Sequence, residues 1–163
     1  MPISLDHSAG ILLYRHTPEL EVFVGHMGGP IWARRDAAAW SIPKGLIEPG
    51  EDEFETASRE FEEEIGQPPP RADYVKLGDF KYVSGKTVTV FTAESDLDFA
   101  QHPFESTPVT IEWPRGSGHQ ISFTELDRAE WCALGLARTR LVRGQVPALA
   151  ALEALVDQRG DFA

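Results

Sequence analysis

A chain of 163 residues, 42% hydrophobic and 25% charged, has the length and composition of one soluble globular domain with a sizeable core. Its 26 acidic against 15 basic residues give a formal net charge of −11. That balance argues against general affinity for nucleic acid or anionic membrane, since both need clustered Lys and Arg. Cys132 is the only cysteine, which excludes an intrachain disulfide and a thiolate metal site; beside Trp131 and Ala133 it reads as a buried structural thiol. The opening MPISLDHSAGILLYR lacks the basic segment and long apolar core of a secretory signal. No apolar run approaches the roughly 20 residues of a membrane span, so a cytoplasmic protein is expected. Residues 1–163 read as a single domain, and the oligomeric state stays open, a dimer included.

His7 to Tyr14 (HSAGILLY) and Leu20 to Gly25 (LEVFVG) read as strands joined across Thr17-Pro18-Glu19. Their nearly continuous apolar character suits strands covered on both faces. His7, His16 and His26 have no metal-ligand spacing and read as structural or solvent-exposed. Gly28 to Ala39 reads as a loop, and Trp40 to Gly45 leads onward from it. Arg34, Arg35 and Lys44 are the nearest cations to a strongly acidic stretch, and either substrate phosphates or charge balance accounts for them. Trp32 is a base-stacking candidate or a loop anchor.

From Asp52 to Ile65 the sequence has no Gly or Pro and predicts a helix, with Asp52 as N-cap and Gly66 followed by three prolines as its stop. At helical spacing Phe54, Ala57, Phe61 and Ile65 form an apolar stripe. Glu60, Glu63 and Glu64 fall on a neighbouring arc, where like charges at i,i+4 cost about 0.2–0.5 kcal/mol per pair. A divalent cation with hard oxygen ligands would offset that repulsion; a solvated acidic face is the plainer reading.

Tyr74 to Phe80 and Thr87 to Ala93 predict two strands with a turn at Ser84-Gly85. Asp96 to Gln120 reads as a long irregular loop broken by prolines, a lid candidate, in which Phe104, Glu112, Trp113 and Arg115 could meet substrate. Ile121 to Cys132 precedes a helical end. Leu134 to Arg143 and Val146 to Gln158 predict helices with core-facing Leu, Ala and Val, separated by Gly144 and Pro147.

GLIEPGEDEFETASREFEEEIG, residues 45 to 66, closely resembles the Nudix box, G-x5-E-x7-R-E-U-x-E-E-x-G-U with U a bulky apolar residue. Gly45, Glu51, Arg59, Glu60, Phe61, Glu63, Glu64 and Gly66 fall in register with it, and Gln67 departs from it. The resemblance implies an α/β fold, an α/β/α sandwich around a mixed sheet, with the box as a loop–helix–loop. It implies a Mg²⁺-dependent pyrophosphohydrolase, with Mn²⁺ able to substitute, acting on a nucleotide-type small molecule. Glu60, Glu63, Glu64 and the Gly45 carbonyl are then the metal ligands, with Glu63 or Glu64 the usual place for the general base. Arg59 would orient its acidic neighbours, with Glu51 as partner. Many such hydrolases add a Glu outside the box, shortly before a strand with an aromatic residue. Glu125, six residues before Trp131, is similar, with Asp127 and Glu112 as alternatives.

Ile42-Pro43-Lys44-Gly45 with Glu48-Pro49-Gly50-Glu51 looks most like the branch acting on diadenosine tetraphosphate and related polyphosphates. Nucleoside triphosphates, oxidised nucleotides, ADP-ribose and nucleotide sugars are the other substrate classes. A Nudix-fold binding or regulatory domain without turnover is the alternative of a different kind, and such domains usually lose box carboxylates.

Overall fold

The computed structural model describes residues 6–16, 18–96 and 106–160. Strand β1 (His7–His16) lies at the centre of a mixed seven-stranded sheet, and its Ile11, Leu12 and Leu13 are fully buried. The pleat divides its side chains between two cores. Ala9, Ile11 and Leu13 join Phe23 under the box helix α1 (Glu53–Ile65), while Leu12 and Tyr14 face the C-terminal helices α2 (Leu134–Arg140) and α3 (Val146–Gly160). The result is an α/β/α sandwich, as expected from the sequence.

One edge of β1 pairs in parallel with β6 (Thr87–Glu94), which pairs antiparallel with β5 (Val75–Lys81). The other edge is shared. β2 (Leu20–Met27) pairs with Tyr14 to His16, whereas β4 (Lys44–Leu46) pairs with Ser8 to Gly10. β2 also pairs with β3 (Trp40–Ser41) and β9 (Leu126–Ala133). β2 and β4 therefore part company along β1, and a cleft opens between them.

Helix α1 is specified locally. The Asp52 carboxylate accepts from the Glu55 amide at 2.8 Å and the Glu55 carboxylate accepts from the Asp52 amide at 3.3 Å, a reciprocal cap worth about 1 kcal/mol. At the other end Gly66 takes a left-handed φ of 89°, and its amide reaches the Glu62 carbonyl. Ala57, Phe61 and Ile65 are buried as the stripe predicts. Phe54 is 36% exposed and leans instead on Tyr74 and Phe91, ring centroids 5.1 and 5.2 Å away.

Three expectations need correction. Trp40 to Gly45 is not mere approach to the box but contributes the short strands β3 and β4. The stretch expected to be irregular between Asp96 and Gln120 contains strand β7 (Pro108–Glu112), which forms an antiparallel arm with β8 (Gln120–Thr124). Pro108 misleads because proline is tolerated as the first residue of such a strand, where it owes no ladder donor. Phe104 lies outside the described residues. Pro147 likewise does not separate the last two segments: it sits in the first turn of α3, where its missing amide hydrogen costs nothing, and a 3₁₀ turn at Arg143–Gln145 precedes it.

Candidate functional site

Three elements bring three carboxylates together. Glu60 and Glu64 lie one turn apart on α1, and Glu125 sits at the junction of β8 and β9; their oxygens come within 4.8 Å of one another. Gly45 of β4 faces them at very close range. A Cβ there would lie 2.0 Å from Glu60 Cδ, so any side chain at this position would force the carboxylate or the strand to shift. The Lys44 amide donates to Glu64 Oε2 at 3.2 Å. Glu64 is 6% exposed, and burial pushes its carboxyl up to about 8 despite the nearby Lys44 charge. Burial also raises Glu60, against the opposing effect of Arg59.

Arg59 organises the rim of this cluster. Its Nε and Nη2 fork onto Glu51 at 2.7 and 2.9 Å, while Nη1 reaches Glu60 at 2.9 Å and Glu63 at 3.2 Å. Glu51 also accepts from Thr56 Oγ1 and from the Glu48 amide. The Arg59 guanidinium holds the Glu51 carboxyl down to about 2. Glu63 is exposed and stands outside the group formed by Glu60, Glu64 and Glu125; its side chain is engaged with Arg59.

The carboxylates open into a cleft of about 1210 Å³. Lys44 and Trp32 line it, whereas Arg34 and Arg35 do not; Arg35 lies over the Trp32 ring, 5.8 Å from its centroid. Of the alternatives to Glu125, Asp127 pairs with the buried His26 at 2.9 Å. Glu112 accepts from the Gly116 amide at the tip of the β7–β8 arm. Neither they nor Trp113 and Arg115 line the cleft.

The sequence reading missed Phe123, Val109, Tyr82 and Lys86, which all line the cleft. Val109 and Phe123 are cross-strand partners on the arm, and Phe123 packs so close to Gly29 that a Cβ there would meet its ring at 2.6 Å. Lys86 is an exposed cation with no ion pair among the described residues. No local motif marks these residues; sheet order assembles them.

The family model of the NUDIX domain matches residues 6–152. The chain belongs to the NUDIX family. The NUDIX domain, with the box arginine and all the box carboxylates in place, supports a hydrolase acting on phosphorus-containing acid anhydrides. Solved NUDIX structures resemble it over most of their length. A mutT/nudix family protein from Listeria innocua aligns with a TM-score of 0.66 at 13% identity, covering 99% of this chain and 100% of that one. A C. elegans Ap4A hydrolase in a binary complex aligns at 0.60 and 19% identity, covering 93% and 98%. The NUDIX domain of Shewanella oneidensis NrtR, complexed with ADP ribose, aligns at 0.60 and 14% identity, covering 95% and 90%. At such identities the likeness shows the fold. No curated relative matches the sequence.

NUDIX hydrolases generally use divalent cations, and this donor set fits one. Three hard carboxylate donors converge, and one of them is buried at a cost that a cation would offset. Among the described residues no helix is long and apolar enough to cross a membrane.

Proposed function

We propose that this NUDIX chain hydrolyses a phosphoanhydride bond of a nucleoside or dinucleoside polyphosphate, with Mg²⁺ as its cation and Mn²⁺ able to replace it. The observation that carries the reading is the convergence of Glu60, Glu64 and Glu125 in a cleft that also holds Lys44. Glu60, Glu64 and Glu125 would hold the cation, with the Gly45 carbonyl as a further donor. When bound, the cation neutralises phosphate oxygens and makes water a better nucleophile. Glu125, the exposed member, accepts the proton of the attacking water. Arg59 keeps Glu60 oriented, and Glu51 and Glu63 hold Arg59 in turn. Lys44 meets phosphate oxygens as a point charge.

The shape of the cleft supports a substrate with groups on both sides of its phosphates. Trp32 and Phe123 stand at the β2–β9 side, and Tyr82 and Lys86 at the β5–β6 side. β6 and β9 lie on opposite sides of the β1–β2 pair, and both sides line the cleft into which the carboxylates open. Trp32 provides a stacking surface for a base. The reading carries a cytoplasmic location and a nucleotide-type small-molecule partner.

Product analysis with Mg²⁺ tests it, on diadenosine tetraphosphate, canonical and 8-oxo nucleoside triphosphates, ADP-ribose and a nucleotide sugar. Metal-dependent cleavage of a polyphosphate well above the others is expected. Preference for ADP-ribose or a nucleotide sugar would move the substrate to the sugar-linked class. Tight binding of one compound without cleavage would sink the enzyme reading in favour of a binding domain.

A further inference from the structure

Residues 106 and 107, immediately before β7, tie the end of α1 to the start of β9. The Thr107 amide and hydroxyl both donate to the Glu63 carbonyl, at 2.9 and 3.0 Å. That carbonyl belongs to the last turn of α1, where carbonyls have no partner within the helix. On the other side, the Thr107 carbonyl accepts from the Glu125 amide at 3.4 Å, and the buried Ser106 hydroxyl accepts from the Leu126 amide at 3.2 Å. This two-residue strap therefore joins the helix that carries Glu60 and Glu64 to the backbone that carries Glu125.

Glu125 needs such a tie. It is exposed and lies where an arm that pairs only with itself re-enters the main sheet. The Gly28 amide fixes its carbonyl at 2.8 Å, from the strand-end side. The strap fixes its amide, and does so from the helix side, the direction in which the other two carboxylates lie. We propose that Ser106 and Thr107 are positioning residues that set Glu125 against Glu60 and Glu64. The inference rests on the reading of Glu125 as part of the cation site. A constellation of this kind tolerates only about 0.5 Å of drift before its chemistry suffers, so a tie between the two supporting elements acts directly on function.

Calorimetric titration with Mn²⁺ alone tests this, because cation affinity reads the geometry of the three carboxylates without needing a substrate. Ser106→Ala/Thr107→Val removes both hydroxyls and is expected to bind Mn²⁺ about tenfold more weakly, the scale on which groups supporting a ligand act. Thr107→Val alone keeps the buried Ser106 and folds, since Thr107 is exposed; it should show part of that loss. Thr107→Ser keeps the hydroxyl and should bind within about twofold of wild type. Glu125→Gln should lose at least as much as the double variant. Adding the strap changes to Glu125→Gln should then cost nothing more, because both act through one carboxylate. With diadenosine tetraphosphate as probe, the strap variants should lower kcat and leave KM unchanged.

Wild-type Mn²⁺ affinity in the double variant, beside a loss in Glu125→Gln, would overturn the strap while leaving the cation site intact. Losses that multiply in the combined variant would overturn it too, by showing a route other than Glu125. Wild-type affinity in Glu125→Gln would remove Glu125 from the cation site, and the inference with it.

Discussion

The Lys44 amide donates to Oε2 of Glu64, tying the strand that enters the NUDIX box to the one glutamate of α1 that is almost fully buried. Next to it, Gly45 passes Glu60 with no room for a Cβ. The box is thus a strand and a helix locked together through carboxylates. Its residues hold the geometry as well as offering ligands.

This arrangement makes Glu64 sensitive to pH. Its folded carboxyl is pushed up to about 8 from the ordinary carboxyl value of 4.5, with burial as the main cause. The stability that this neutral carboxyl contributes is fully present below 4.5 and is lost as pH rises through 8, because the unfolded chain ionises first. Protein stripped of metal should therefore become easier to unfold between pH 5 and pH 8, and Glu64→Gln should flatten that slope. Added Mg²⁺ favours the ionised carboxylate, so it should raise the melting temperature more at pH 8 than at pH 6. Thermal unfolding at the two pH values measures this; an equal Mg²⁺ shift at both would remove Glu64 from the cation site. In turnover, Glu64→Gln should cost about 10²-fold or more in kcat, as loss of a ligand to a cation that stabilises transition-state charge by several kcal/mol.

Gly45→Ala probes the close approach. The added methyl would sit 2.0 Å from Glu60 Cδ, so strand or carboxylate must move. Loss of roughly 10²-fold in activity is expected, as for a misplacement of about 1 Å, with weaker Mn²⁺ binding alongside it. Steady-state kinetics and calorimetry together check this. Normal values in both would mean that β4 can back away from α1 freely.

Arg59→Lys separates charge from geometry. Lysine keeps the positive charge but cannot fork onto Glu51 while also reaching Glu60 and Glu63. We expect kcat to fall at least tenfold, with Glu60 no longer fixed. The Glu51 carboxyl, held down to about 2 by Arg59, gives the acid limit its sign. Its contribution to stability is present above 4.5 and fades as pH falls through 2. Acid unfolding of Arg59→Lys should begin at higher pH than in wild type, and coincident acid transitions would count against the pair.

How far the site was legible follows from how local its parts are. Asp52, the Glu60–Glu63–Glu64 spacing and Gly66 lie within one helix and its caps, so periodicity and capping rules were enough to read α1. Cys132 was readable for a similar reason: its apolar neighbours implied burial, and burial pushes its thiol up to about 11. Glu125 was legible only through its spacing to Trp131, because what brings it to α1 is the β8–β9 junction and the strap at Ser106–Thr107. Lys86 and Phe123 gave no signal at all. Lys86, just before β6, and Phe123, on the β7–β8 arm, line the same cleft through sheet order and the arm's return into β9, which the alternation within each strand does not specify. The β7–β8 arm was hidden by Pro108 and by its lack of any fully buried residue.

Arg34 and Arg35 give the sharpest contrast between sequence and structure. Near an acidic box they read as phosphate ligands or as charge balance, and neither lines the cleft, whereas Lys44 and Lys86 do. Arg34→Ala and Arg35→Ala should therefore leave KM within about twofold of wild type. Lys44→Ala and Lys86→Ala should each raise it about tenfold or more, as loss of a charge-assisted contact worth about 1.5–3 kcal/mol requires. Higher salt should narrow the gap for Lys86, which is exposed, more than for Lys44, which is half-buried. Kinetics on diadenosine tetraphosphate at two ionic strengths would decide it. A tenfold rise in KM for Arg34→Ala or Arg35→Ala, with the lysine variants unaffected, would place the phosphates on the Trp32 loop and outside the cleft.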